Sequence, residues 1–351
     1  MRYAMIGIAF AAALLTGAKA SAGELKMQGA GATFPAPFYA RLVEEYQKLH
    51  PDVKIDYQAI GSGGGIKAIT DCTVDFAGSD APLNDKQLEA CGKDNIVQVP
   101  SCAGGVVPAY NVPGVTQDLN FTGEVLANIY LGKVNNWSDP AIKSLNPGVA
   151  LPNLAITPVW RTDGSGTTYV WTNYLCTQSM DFSDNIGSGT SVSWPVGQGG
   201  KGNQGVAAVL QVTKGAIGYV EENYADKNNI AYGAVRNKAG KFIKASPESV
   251  SKAGTSAAEQ MSGSVLKANM WNGDGEGTYP IASLTYLIVY KDLKNVDSME
   301  KAKAITAYLW WATHEGQKYA SDLDYAPLAS EVQKKVEKAL SGLVYKGRPV
   351  Q

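Results

Sequence analysis

The chain has 351 residues, 45% of them hydrophobic and 18% charged, a composition that excludes a disordered or fibrous protein and is long enough for two packed domains. Its 31 Lys and Arg stand against 32 Asp and Glu, so no basic excess points to nucleic acid and no acidic block points to a solvating tail. Any site for an anion must be built locally, from few charges.

Residues 1–22 read as an export signal: Arg2 precedes the apolar run Met5–Leu15, and small residues permit cleavage after Ala20 or Ala22. The run is short for a membrane span, and no cysteine follows it to carry a lipid anchor, so the mature protein is expected to be exported and soluble. Next, Phe38, Leu42, Tyr46 and Leu49 predict one face of a helix, and Lys54–Ile60 predicts a strand. Short strands are expected at Val74–Gly78, Ile96–Pro100 and Gly105–Asn111, then at Ala155–Arg161, Ala216–Val220 and Leu284–Lys291. A final clear helix starts in the capping-box-like Asp297–Glu300 and carries Ala302, Ile305, Leu309 and Ala312 on one face. This alternation is that of an α/β protein with mostly parallel sheets. The late strand and helix resume the pattern of the chain's start, which predicts a discontinuous first domain with the middle of the chain as the second. Gly187–Gly205, with seven glycines, reads as a long surface loop or the lip of a cleft.

The four cysteines, Cys72, Cys91, Cys102 and Cys176, are an even count in an exported chain and permit two disulfides. Cys72 with Cys91 closes the shortest plausible loop and is the preferred pair. No CxxC spacing occurs and only His50 and His314 are present, so neither a metal site nor a cofactor is expected.

Four segments share one design, an extended end followed by small polar residues and a helix start: Gly29–Pro37 (GAGATFPAP), Ile60–Ile69 (IGSGGGIKAI), Phe76–Pro82 (FAGSDAP) and Arg161–Thr168 (RTDGSGTT). Thr33, Ser62 and Ser165 can each act as an N-cap there. Each helix start presents unpaired N–H groups and the positive end of a dipole, and glycine lets the backbone approach a ligand closely. Converging starts make an anion site without a basic protein. Arg161 is one of only five arginines, and its planar fork matches two oxygens of a tetrahedral oxyanion. A nucleotide-binding loop of the Walker type would need GxxxxGK before Ser or Thr, and GGKGN places Gly202 after Lys201. A hydrolase elbow would need GxSxG, but Asp163 stands two residues before Ser165.

In these four segments, together with GAIGYVE, GGKGN, Tyr130–Trp137 and Asp322–Leu328, the sequence resembles the high-affinity phosphate-binding proteins of bacterial phosphate-specific ABC transporters, over nearly the whole mature chain. The resemblance implies a two-lobed periplasmic-binding-protein fold of type II, each lobe a mostly parallel sheet flanked by helices, with the ligand cleft between them. On that reading, residues 23–107 and 283–351 form lobe I and residues 108–282 lobe II, with hinges near Val106–Asn111 and Ala282–Leu287. It also implies that Thr33, Phe34, Ser62, Arg161, Ser165, Gly166 and Thr167 donate to inorganic phosphate, that Asp80 accepts, and that Asp163 holds Arg161 in place. A carboxylate beside an oxyanion is repulsive unless the anion brings a proton, which hydrogen phosphate has and sulfate lacks. The implied protein is a periplasmic monomer without catalytic residues that delivers phosphate to an inner-membrane ABC permease. Two alternatives stay open: an exported phosphate-ester hydrolase using the same cradle, and a receptor for another oxyanion. The sequence departs from the familiar pattern at Gly63, where a second serine is expected.

Overall fold

The computed structural model of the protein describes residues 24–350, so the expected export signal lies outside the described residues. The first half of the fold alternates strictly: β1 (Leu25–Gly31), α1 (Ala36–Leu49), β2 (Val53–Ala59), α2 (Ser62–Thr70), β3 (Phe76–Ser79), α3 (Asp85–Ala90) and β4 (Ile96–Tyr110). The middle repeats the scheme with β5 (Thr157–Arg161), α4 (Gly166–Gln178), β6 (Gln198–Gly200), α5 (Gly202–Val212), β7 (Ala216–Glu221) and β8 (Ala231–Tyr232). The chain then returns through β9 (Ala282–Tyr290) to α6 (Met299–Thr313).

These strands form one continuous sheet in the order β2-β1-β3-β9-β4-β7-β5-β6, with β8 also on β4. The order contains the same unit twice. In β2-β1-β3-β9-β4 only β9 runs against its neighbours, and in β6-β5-β7-β4-β8 only β4 does. Each half is therefore mostly parallel, as expected, with helices on its faces. The halves share β4, which pairs with β9 from Ile96 to Gly105 and with β7 from Val106 to Tyr110. At the changeover the Val106 N–H donates to the Ile281 carbonyl at 2.9 Å, so the outgoing and returning strands lie side by side between two lobes.

Two expected strands, Ile96–Pro100 and Gly105–Asn111, are thus one. Pro100, Gly104 and Gly105 break the sequence pattern but not the strand. Residue Ser101 is an extra residue at a β-bulge, between the pairs Thr285 with Cys102 and Tyr286 with Pro100. Gly104 leaves room for the Phe34 ring, whose Cζ would stand 2.8 Å from a Cβ there. Every residue of β4 is buried, which removes the alternation by which a half-exposed strand is read. Helix α1 buries Phe38, Tyr39, Leu42 and Tyr46 as its apolar face, whereas Leu49, expected on that face, is 63% exposed at its end.

The preferred Cys72–Cys91 pairing is not formed: all four cysteines are free thiols. Each of the two sulfurs engages a hydroxyl instead. Cys72 Sγ lies 3.4 Å from the Tyr290 hydroxyl, and Cys91 Sγ lies 3.5 Å from that of Thr70. Cys102 is enclosed within β4 and Cys176 lies on α4.

Candidate anion-binding site between the lobes

Lobe I brings Thr33 and Phe34 from the turn before α1, Ser62 from the start of α2, and Asp80 from the end of β3. Lobe II brings Arg161 from the end of β5 and Ser165–Thr167 from the start of α4. All of these residues are buried and face one another across the interface. Direct interlobe bonds surround them: the Gly63 N–H donates to the Gly164 carbonyl at 2.8 Å, and the Tyr224 hydroxyl donates to the Thr33 carbonyl at 2.6 Å. The cleft is closed.

Gly166 shows how close the lobes come. A Cβ on it would stand 2.4 Å from Asp80 Oδ2 and 2.5 Å from Ser62 Oγ, so only hydrogen fits between the start of α4 and the opposite lobe. Gly61 has φ +89, and a Cβ there would stand 2.2 Å from Asp163 Oδ2, so the approach to α2 also needs glycine.

The Arg161 side chain is 1% exposed, and its fork is bidentate to Asp163, Nε to Oδ1 at 2.9 Å and Nη2 to Oδ2 at 2.5 Å. Burial alone would raise the Asp163 carboxyl. The hydrogen bonds and charge of Arg161, with a further bond from the Gly202 N–H at 2.9 Å, outweigh it and hold Asp163 below the ordinary carboxylate value. The Arg161 Nη1 is left to face Thr167 Oγ1 at 3.3 Å. Asp163 thus anchors two of the three nitrogens of the Arg161 fork.

Asp80 is 2% exposed and lies in the opposite regime. Burial pushes its carboxyl up to about 7, against the opposing pull of the Thr285 hydroxyl, the Arg161 charge and the Ser62 hydroxyl. Thr285, beside the β4 bulge, donates to Oδ1 at 2.8 Å, while Oδ2 lies 3.5 Å from Ser62 Oγ and faces Gly166. One carboxyl oxygen is therefore satisfied by its own lobe, and the other is turned toward the start of α4.

Two of the expected caps are not caps. Helix α1 begins at Ala36 after Pro35, and Thr33 Oγ1 faces Asn203 instead. Ser62 is the first residue of α2, and its Oγ accepts from the Asp80 N–H at 3.2 Å. Ser165 does cap α4, accepting from the Thr168 N–H at 2.9 Å, which leaves the Gly166 and Thr167 N–H groups without intrahelical partners. Asp80 does not stand at a helix start either. Helix α3 begins five residues later, behind an Asn84–Gln87 capping box, and Asp80 is the tip of a strand. The Phe34 side chain is buried, and the Tyr325 hydroxyl donates to its carbonyl at 2.6 Å, so only its N–H remains as a donor. Because a trans peptide sets C=O and N–H on opposite sides, the Tyr224 bond to the Thr33 carbonyl also fixes the direction of the Phe34 N–H.

The fourth helix start at this interface is that of α5, inside the glycine-rich segment expected to be a loop or lip. The segment contains β6 and the first turn of α5, and Asn203 enters the site from it. Asn203 Nδ2 reaches Thr33 Oγ1 at 2.9 Å and Thr167 Oγ1 at 3.1 Å. The residue was legible in GGKGN, a small polar helix start of the same design as the other segments. Thr285 had no sequence signal, since only the bulge aims it.

Both histidines are engaged elsewhere. His314 stacks on Trp310 with ring centroids 4.4 Å apart, and His50 packs on Tyr46 at 4.3 Å. Among the described residues no cluster of His, Cys, Asp and Glu could hold a metal, and no helix is long and apolar enough to cross a membrane. The arrangement is a buried set of aimed donors around one cation, Arg161, and one carboxyl, Asp80.

Residues 16–315 match the PBP superfamily domain. The chain is 42% identical over 310 residues to the phosphate-binding protein PstS of Pasteurella multocida, covering 88% of each chain. It is 41% identical over 314 residues to PstS of Xylella fastidiosa, covering 89% of this chain and 84% of that one. Among solved structures it is similar to a high-affinity periplasmic phosphate-binding protein (PfluDING) bound with phosphate, with a TM-score of 0.69 at 20% identity, covering 89% of this chain and 93% of that one. At that identity the likeness concerns the two-lobed fold. By sequence, the chain belongs to the PstS family of phosphate-binding proteins within the PBP superfamily.

Proposed function

We propose that this protein binds inorganic phosphate reversibly in the cleft between its lobes, in the periplasm, and hands it to an inner-membrane ABC permease. The observation that carries the reading is one buried acceptor among buried donors. Asp80 stands with Thr33, Phe34 and Ser62 on one lobe, facing Arg161, Ser165, Gly166 and Thr167 on the other; the four hydroxyls, the guanidinium and the N–H groups of Phe34, Gly166 and Thr167 are the donors. A tetrahedral oxyanion carrying a single proton satisfies that set, its bare oxygens facing donors and its hydroxyl facing Asp80. The division into lobe I (residues 23–107 and 283–351) and lobe II (108–282) is supported by the change of partner along β4 at Gly105–Val106. Residues 1–22 would direct export, and the mature protein would act as a monomer.

Family membership makes the protein a binding component of transport, not an enzyme. The hydrolase alternative would need a base for Ser165, and both histidines pack on aromatic rings elsewhere. Calorimetry of the mature protein with phosphate and with sulfate tests the reading. Tight phosphate binding, strong preference over sulfate and no release of phosphate from a simple monoester are expected. Equal affinity for both anions, or none for phosphate, overturns it.

A further inference from the structure

Asn203 links both lobes at the centre of the site, yet it belongs to no set of residues expected to touch the anion. It is fully buried at the start of α5. Its Oδ1 accepts the Glu221 N–H at 3.0 Å, which fixes the amide so that Nδ2 points into the site. One hydrogen of Nδ2 goes to Thr33 Oγ1 of lobe I, and the other to Thr167 Oγ1 of lobe II, at 2.9 and 3.1 Å.

The consequence follows from counting. A hydroxyl oxygen has two acceptor positions and one hydrogen. Thr33 Oγ1 accepts from Asn203 Nδ2 and also from the Asn203 N–H at 3.2 Å. Thr167 Oγ1 accepts from Asn203 Nδ2 and from Arg161 Nη1 at 3.3 Å. Both oxygens have their acceptor positions filled, so each threonine has only its hydrogen left to give. Hydroxyl rotors that could face an anion with either polarity are thereby held as donors. The same bonds span the interface, because Thr33 is on one lobe and Thr167 and Asn203 are on the other.

We propose that Asn203 is a positioning residue of the anion site: it sets the Thr33 and Thr167 hydroxyls as obligate donors and latches the lobes once they close. The inference rests on the phosphate-binding reading above and deepens it. Asn203 does not itself touch the ligand; it acts through the two threonines, which distinguishes it from Arg161 and from the first turn of α4.

The test is phosphate titration of the full mature chain by calorimetry, with release of radiolabelled phosphate followed in parallel. Asn203→Ala is expected to weaken binding about 30-fold, from two donors no longer held in place, with most of the loss in the release rate. Asn203→Asp keeps the shape but turns the group into an acceptor that draws both hydroxyl hydrogens away from the anion, and is expected to weaken binding by more. In a Thr33→Val background, Asn203→Ala should cost only about fivefold, because one of the two hydroxyls it orients is gone. Binding within about twofold of wild type for both Asn203 variants overturns the inference. So does an unchanged factor in the Thr33→Val background. If Asn203→Ala does not fold, the near-isosteric Asn203→Asp and its own cycle with Thr33→Val decide. Wild-type protein that binds no phosphate sinks the functional reading as well, whereas wild-type binding with unaffected variants removes only the role of Asn203.

Discussion

Asp80→Asn isolates the one acceptor of the site. In the native protein, an anion without a proton can face Oδ2 only if the carboxyl itself is protonated. Burial places that titration at about 7. Above it the neutral form becomes tenfold rarer with each pH unit, which costs about 1.4 kcal/mol per unit. Sulfate binding should therefore be flat below pH ~6 and weaken about tenfold per unit above pH ~7. Phosphate brings its own proton to Asp80 and should change by less than about threefold between pH ~7 and ~9. The asparagine keeps Oδ1 as acceptor for the Thr285 hydroxyl, now 2.8 Å from Asp80 Oδ1, and offers an N–H where Oδ2 stood. Sulfate should then bind the variant with no pH slope, gaining about 30-fold over wild type at pH ~8.5. Phosphate should lose about tenfold, the difference between a charge-assisted and a neutral hydrogen bond. Calorimetry with both anions at fixed ionic strength, at several pH values, reads these slopes directly. A pH-independent sulfate affinity in the wild type, or a slope that survives in the variant, would refute the reasoning.

Arg161→Ala removes the buried cation and leaves the Asp163 carboxylate unpaired, so phosphate affinity should fall at least about 100-fold by calorimetry; a loss under about threefold would mean the cleft is misassigned. Gly166→Ala puts a methyl carbon 2.4 Å from Asp80 Oδ2, so the lobes should no longer close on the ligand, and small-angle scattering should show no compaction when phosphate is added. Stability of the unliganded protein should fall as pH rises from about 4.5 to about 8. Burial raises Asp80 to about 7 and Glu222 to about 8, and it raises Glu221 further still, so the native state holds protons that the unfolded chain releases in that window. A urea midpoint that climbs over the same range would contradict that sign.

The legible and illegible parts of this protein divide along a physical line. Helix starts and short strands are local, so α4 with its Ser165 cap, the helix face on α1, and the α/β alternation could be read from residue types alone. Thr33 and Ser62 were correctly placed at helix starts but given the wrong partner, because a hydroxyl beside a free N–H caps it only when nothing better faces it. Here Asn203 and the Asp80 N–H do, and both come from far along the chain. Strand β4 was cut in two because Pro and Gly are punctuation only where water or a turn can use them. Buried between β9 and β7, the same residues become a bulge and a place for an aromatic ring. The Cys72–Cys91 expectation rested on loop length, which ranks pairs by entropy and says nothing of where each sulfur points; in the fold Cys72 faces the Tyr290 hydroxyl and Cys91 that of Thr70. The segments that meet between the lobes could be picked out because small polar residues mark helix starts and because arginine is rare in this chain, with five copies. What the chain alone could not supply is the direction of a hydrogen. That depends on which oxygen already has its acceptor positions filled, and in this cleft Asn203, with Arg161 at Thr167, fills them.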